Sequence, residues 1–174
     1  MEPLSGDDAA LVEAELGRPP RDLVGVGHRC PCGSPDVVAT APRLGDGTPF
    51  PTFFYLTCPR AASEIGTLEA GGLMRTMTAR LGADPELGAR FRAAHDAYLA
   101  ARRVHGDVPE IDGISAGGMP SRVKCLHVLV AHALAAGPGV NPLGDEALDL
   151  LPDWWAAGPC VVLPDDVPSD EAAS

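Results

Sequence analysis

The spacing of hydrophobic positions changes along the chain, and this change predicts a mixed fold. Between residues 85 and 104, apolar and aromatic side chains recur every three or four residues, the spacing of one face of a helix. Between residues 22 and 58, short runs rich in β-branched and aromatic residues alternate with Gly and Pro, which is typical of strands and turns. The pattern predicts an α+β domain, with a small sheet of short strands packed by helices.

Further helices are predicted on both sides of this stretch. Residues 5–17 have the composition of a short helix, and residues 60–81 predict helical structure interrupted at Gly71-Gly72. A segment at about 121–135 is apolar on nearly every side and predicts a buried helix in the C-terminal half, begun by Ser121 or the loop before it. Residues 144–151 predict one more short helix.

Charge and composition limit the classes of function that the chain can have. The 174 residues carry 13 Lys and Arg against 24 Asp and Glu, a net charge of -11. We therefore expect no binding to nucleic acid or anionic membranes, which need a surplus of cations. The start of the chain lacks a signal-peptide pattern and no run is long enough to span a bilayer, so we expect a cytoplasmic protein.

The chain divides by composition into a domain and a tail. Residues 1–150 are expected to form a single α+β domain. Residues 151–174 contain five acidic residues and no Lys or Arg, and are rich in Pro. We expect this tail to dock in part through Trp154-Trp155 and to be disordered over its last ten residues. The same tail makes a protein-interaction module one of the functional hypotheses.

Five cysteines in a reducing compartment favour metal binding or catalysis over disulfides. Cys30, Cys32, Cys58 and Cys125 form a candidate four-ligand set for an iron–sulfur cluster or zinc. The alternative is that these are free, mostly buried thiols. In a regular helix, Cys125 and His127 would face different sides and could not easily share one ion.

Cations lie beside these cysteines in an otherwise acidic chain. Lys124, the only lysine, precedes Cys125, and Arg60 follows two residues after Cys58. Such cations, with the free amides of a glycine loop at a helix start, favour a phosphate or carboxylate ligand. The alternative is a solvated helix start with scattered surface arginines. The candidate anion-binding residues are Arg43, Arg60, Gly117, Gly118, Ser121, Arg122 and Lys124.

Nucleophilic catalysis is a further hypothesis. Cys125 near a helix start, with histidines available as bases, fits an activated thiol. The candidate catalytic residues are Cys125, His127 and His95. His95 also lies on the apolar face of the helix over residues 85–104, where a hydrogen-bonded core histidine is the alternative interpretation.

An ordered set of motifs resembles the bacterial, largely actinobacterial, domain-of-unknown-function family 501 over about residues 8–150. The motifs include Arg29-Cys30-Pro31-Cys32-Gly33, Tyr55-Leu56-Thr57-Cys58-Pro59, Leu68-Glu69-Ala70-Gly71-Gly72 and Gly117-Gly118-Met119-Pro120-Ser121-Arg122-Val123-Lys124-Cys125-Leu126-His127. The resemblance implies no activity. It implies that Lys124 and Asn141 belong to a shared motif, whereas Cys160 lies outside it and is interpreted as structural.

These observations give three hypotheses for function. The first is a cysteine-based metal centre, iron–sulfur or zinc, beside a basic anion pocket. The second is a metal-free enzyme that uses Cys125 or a histidine on a small anionic substrate. The third is the interaction module.

Overall fold

A computed structural model of the chain describes residues 1–163. The expectation of disorder for the last ten residues lies outside this range. The described residues form a three-stranded antiparallel sheet and six α-helices, which confirms the α+β prediction. The strands are β1 (Leu23–Arg29), β2 (Pro35–Thr40) and β3 (Phe54–Leu56), and the helices are α1 (Asp8–Leu16), α2 (Pro59–Ala70), α3 (Leu73–Ala83), α4 (Pro85–Arg103), α5 (Leu126–Ala136) and α6 (Pro142–Asp149).

The sheet has the order β1-β2-β3, with β2 in the middle and buried along its whole length. Val38 on β2 pairs with Val26 on β1 and with Tyr55 on β3. The hairpin between β1 and β2 is closed by a turn in which the Gly33 N–H donates to the Cys30 carbonyl at 2.8 Å. Pro31 and Gly33 occupy the second and fourth positions of this turn, where those residues are favoured.

The long helix α4 is held against β3 by its buried face. Leu87, Phe91, His95 and Tyr98 are all buried, as the periodicity predicts. The Tyr98 hydroxyl accepts a hydrogen bond from the Phe53 N–H at 2.6 Å. Asp84 caps the helix by accepting from the backbone N–H groups of the first turn, and Pro85 follows it.

Helix α5 begins later than the sequence pattern predicts. It starts at Leu126, not near residue 121, and Ser121 does not cap it. The preceding residues form a loop in which the Lys124 N–H donates to the Gly117 carbonyl at 2.8 Å and the Val123 N–H donates to Thr78. Because these amides have partners in the loop and on α3, α5 does not extend back over residues 121–125, and Cys125 stays extended at the helix start.

The segment after α6 lies against the domain in the range that the structure describes. The Trp154 side chain is buried in the main core, and Cys160 packs against the same core. The Arg60 guanidinium on α2 donates to the Gly158 carbonyl at 2.9 Å. These contacts bring the end of the described chain to the start of α2.

No helix within residues 1–163 combines the length and the apolar character that crossing a membrane requires.

Candidate functional site

The thiols of Cys30, Cys32 and Cys160 lie together where the C-terminal segment packs against the end of β1. The Cys160 Sγ lies 3.7 Å from that of Cys32 and 3.9 Å from that of Cys30, and all three sulfurs lie within 4.8 Å of one another. Burial and the neighbouring Cys58 thiol raise the pKa of Cys160, so Cys58, at the start of α2, lies near these three cysteines, but its sulfur is not within 4.8 Å of all of them. We call Cys30, Cys32, Cys58 and Cys160 the thiol cluster. Cys30, Cys32 and Cys160 are placed so that they can hold a metal ion.

Backbone amides point at the sulfurs of the thiol cluster. Burial disfavours the Cys32 thiolate, but hydrogen bonds from the Cys160 and Ser34 backbones, with those from neighbouring thiols, outweigh it and lower its pKa to about 7. Burial raises the pKa of Cys58, although the backbone of Arg60 and Ala61 at the start of α2 opposes this. Burial also raises the pKa of Cys30, to about 11. Amide donors of this kind orient thiolate ligands and offset their charge.

Cys125 does not join the thiol cluster. The structure places it instead in a second group with Glu69 and His127, so the four-cysteine set expected from the sequence is corrected at this position. The physical reason is the late start of α5, which leaves Cys125 in extended conformation and directs its side chain toward α2. Cys160, which was interpreted from the sequence as structural, occupies the place expected for Cys125.

The second group, Cys125, His127 and Glu69, lies at the start of α5 and we call it the Cys–His–Glu group. The Cys125 Sγ lies 3.8 Å from the His127 Nδ1, and the Glu69 Oε1 lies 3.3 Å from the same nitrogen. Because Cys125 precedes the helix, it reaches His127 despite the spacing of two residues. The expectation that these two side chains face different directions is therefore wrong.

Hydrogen bonds fix the orientation of the His127 ring. Its Nε2 lies 3.1 Å from the Ala62 carbonyl oxygen, which can only accept, so Nε2 carries a proton and donates. In the neutral ring, Nδ1 then holds the lone pair that faces Cys125 and Glu69. The hydrogen bond with Cys125 and the charge of Glu69 raise the pKa of His127 to about 9, against the lowering effect of burial.

The anion expected at the start of α5 is supplied by the protein. The Glu69 carboxylate accepts a hydrogen bond from the Leu126 N–H at 2.6 Å. A carboxylate at this end of a helix is stabilised by free amides and by the helix dipole. Glu69 therefore occupies a position that the sequence pattern predicts for an external anion.

The structure does not bring the candidate anion-binding residues together into one pocket. Arg43 forms an ion pair with Glu110, with 2.6 Å between the charged atoms, and Arg60 holds the Gly158 carbonyl. Arg122 and Lys124 are exposed in the loop before α5. Gly117, Gly118 and Ser121 lie earlier in that loop and do not form the start of a helix. Anion binding stays a prediction.

His95 is separate from the Cys–His–Glu group. Its Nδ1 lies 2.8 Å from the Ser115 Oγ, the side chain is buried, and burial lowers its pKa. This is the environment of a hydrogen-bonded core histidine, the alternative considered from the sequence.

A groove of about 470 Å³ opens beside Cys125 and His127 between α1, β3, α2 and α5. Its walls are largely apolar and include Leu16, Phe54, Leu56, Ala62 and Val128. Glu15 on α1 also lines it. Sequence reasoning overlooked Glu15, although its spacing of three residues from the buried Val12 places it on the inward face of α1.

The fold and these two groups define a small α+β protein with clustered thiols at one end of its sheet. Residues 26–149 match the model of a family described as protein of unknown function (DUF501), and the chain belongs to this family. The match contains the whole Cys–His–Glu group and three members of the thiol cluster, whereas Cys160 and Glu15 lie outside it. Comparisons with curated proteins and with solved structures found no significant match.

Proposed function

We propose that the thiol cluster binds one zinc ion, and that the ion fixes the C-terminal segment on the domain. The observation that carries the proposal is the sulfur spacing. In a tetrahedral site with metal–sulfur bonds of about 2.3 Å, neighbouring sulfurs lie about 3.8 Å apart. The Cys160 sulfur lies 3.7 and 3.9 Å from those of Cys32 and Cys30.

The same spacing favours a single ion over an iron–sulfur cluster. A polynuclear cluster distributes its cysteine ligands over two or more iron atoms, so the thiolates do not all surround one point. Here the sulfurs of Cys30, Cys32 and Cys160 lie within 4.8 Å of one another, and Cys58 is the nearby cysteine that would supply the fourth ligand. Thiolates so close together repel one another, and a divalent cation between them offsets that repulsion. Four Cys ligands are typical of closed, structural zinc sites.

The metal content of the purified full chain tests the proposal. We expect one zinc ion per chain when the protein is prepared under reducing conditions, and much less after Cys160→Ser. Cys125→Ser is the matched control, because it removes a cysteine outside the thiol cluster and should leave the zinc ion at this site in place. Substitution by cobalt should give the absorption of a tetrahedral tetrathiolate site.

Other outcomes of the metal measurement would reject zinc. A brown protein that contains iron and inorganic sulfide would show a cluster. A protein without metal, whose denatured form has three free thiols instead of five, would show that two cysteines of the cluster form a disulfide.

A further inference from the structure

The Cys–His–Glu group has the geometry of an activated thiol and is independent of the zinc proposal. The His127 Nδ1 faces the Cys125 Sγ across 3.8 Å, and the Ala62 carbonyl holds the opposite nitrogen of the ring, Nε2, so the ring keeps this orientation. Glu69 lies 3.3 Å from the same nitrogen, where its charge stabilises the protonated ring. A nucleophile, a base and a group that orients the base are thus in place.

The start of α5 contributes amides at the same point. The first N–H groups of a helix have no intrahelical acceptor, and here that of Leu126 donates to Glu69. The N–H groups of His127 and Val128 lie in the same turn, next to Cys125 at the cap position. Amides so placed can stabilise negative charge that develops on an oxygen bonded to the carbon under attack.

An unpaired carboxyl lines the groove into which Cys125 opens. The Glu15 side chain is only 8% exposed, and neither of its oxygens completes a hydrogen bond within residues 1–163. Its oxygens are enclosed beside the Thr57 hydroxyl and are not open to the groove. Burial raises the pKa of Glu15 to about 7, so the carboxyl adds little negative charge to the groove near neutral pH.

The walls of the groove indicate the rest of that ligand. Leu16, Phe54, Leu56 and Val128 present apolar surface, and the lining within the described part of the chain contains no Lys or Arg. Apart from His127, the described lining offers no positive charge to an anionic chain, whereas an alkyl or aryl chain would bury its surface.

We propose that this groove is an acyl-transfer site, in which Cys125 takes the acyl group from an ester or thioester of an apolar carboxylic acid. With its ring neutral, His127 accepts the Cys125 proton at Nδ1, and the sulfur attacks the carbonyl carbon. The bond from that carbon to the alcohol or thiol breaks, and the leaving group takes the proton from His127. Water then hydrolyses the Cys125 thioester, with His127 accepting the water proton and returning it to the sulfur. The products are the free acid and the alcohol or thiol, and no oxidant or reductant is needed.

The test uses the full chain, purified under reducing conditions, with p-nitrophenyl esters of acetic, butanoic and octanoic acid. We expect a burst of one p-nitrophenolate per chain, a matching acyl mass on the peptide that contains Cys125, and faster acylation as the acyl chain lengthens. Cys125→Ser should abolish the burst. His127→Gln should slow acylation by about a hundredfold at pH 9, where a large fraction of the rings is neutral and can act as general base. His105→Gln, which changes a histidine at the far end of α4, should leave it unchanged.

A further variant keeps the proposal testable if Cys125→Ser or His127→Gln does not fold. Leu16→Phe narrows the groove away from the reacting atoms and should slow acylation by the octanoyl ester more than by the acetyl ester. Absence of a burst, acylation confined to other cysteines, or equal rates in His127→Gln would overturn the proposal. So would a second zinc ion that is lost in Cys125→Ser, because the Cys–His–Glu group would then be a metal site. Rates independent of acyl length would overturn the assignment of an apolar substrate.

Discussion

The sulfurs of Cys32 and Cys160 lie 3.7 Å apart although 128 residues separate them along the chain. The contact joins the hairpin between β1 and β2 to the segment that follows α6. A metal ion bound there would close a loop that contains most of the domain. Its effect should therefore be visible in the stability of the whole protein, because an ion that binds only the folded state stabilises it by mass action.

Chelation should remove this stabilisation in the wild type and have little effect on Cys160→Ser. Zinc held at one hundred times its dissociation constant should contribute about 2.7 kcal/mol to the free energy of unfolding. Denaturant titrations with and without a chelator measure the difference. Cys125→Ser should respond to the chelator as the wild type does. An equal response in Cys160→Ser and the wild type would show that Cys160 does not contribute to metal-linked stability.

The sequence predicts Cys30, Cys32 and Cys58 as members of the thiol cluster, but it does not predict Cys160. The turn at Cys30 and Cys32 follows from Pro31 and Gly33, and Cys58 follows a strand-forming run, so both positions can be read from nearby residues. Cys160 arrives through tertiary docking of Trp154 and the hydrogen bond from Arg60, neither of which leaves a periodic signal. Proximity across such a separation depends on the complete fold.

The Cys–His–Glu group shows a different limit of sequence reasoning. Cys125 and His127 are both candidates from the sequence, but whether their side chains meet depends on the residue at which α5 begins. Helix ends are set by the local partners of the backbone amides. The Val123 N–H donates to Thr78 on α3, a contact that no pattern in residues 121–135 predicts. Glu69 contacts the start of α5 because α2 packs against it, and no pattern in the sequence of α2 predicts this contact.

The buried guanidinium of Arg102 should be essential for stability, unlike that of its neighbour Arg103. Arg102 donates to the carbonyls of Pro51, Ile111 and Ile114 at 2.6 to 3.2 Å and is 3% exposed. A lysine cannot reproduce this fork, so Arg102→Lys should leave buried carbonyls unpaired and cost more than about 2 kcal/mol.

Arg103→Lys is the matched control for this change. Arg103 forms an ion pair with Asp112 on the exposed surface, where solvent screens the charges, so Arg103→Lys should change the free energy of unfolding little. Urea unfolding of the two variants measures both effects. Similar losses for both would contradict the role assigned to Arg102.

Close packing between α5 and α6 requires glycine at position 144. A Cβ added at Gly144 would collide with the Leu129 carbonyl oxygen and would lie 2.8 Å from the Ala133 Cβ. Gly144→Ala should therefore separate the two helices and cost about 1–3 kcal/mol, as overpacking of a core typically does. Gly82→Ala in α3 has open space around the new methyl group and should instead stabilise the protein by about 0.4–1 kcal/mol. Thermal unfolding should give melting temperatures that move in opposite directions.

The buried His132 should make the protein sensitive to mild acid. Its side chain is 1% exposed, its ring stacks on that of Phe54, and burial lowers its pKa to about 4. Between this value and the ordinary pKa near 6.5, the unfolded chain binds a proton that the folded protein excludes. The contribution of His132 to the free energy of unfolding should therefore fall as the pH is lowered through this interval, with a slope that approaches about 1.4 kcal/mol per pH unit. Glu15, whose pKa burial raises to about 7, binds a proton in the folded protein over much of the same interval and opposes this slope.

His132→Gln tests that assignment, because glutamine still offers an acceptor to Asn141 but does not titrate in this range. The variant should be less stable at neutral pH, since the stacking is lost, yet it should lose less stability than the wild type as the pH falls from 6.5 to 4. His105→Gln removes a histidine outside this buried contact and should keep the slope of the wild type. A slope unchanged in His132→Gln would mean that other groups bind the proton on unfolding, and that His132 is not the source of the acid sensitivity.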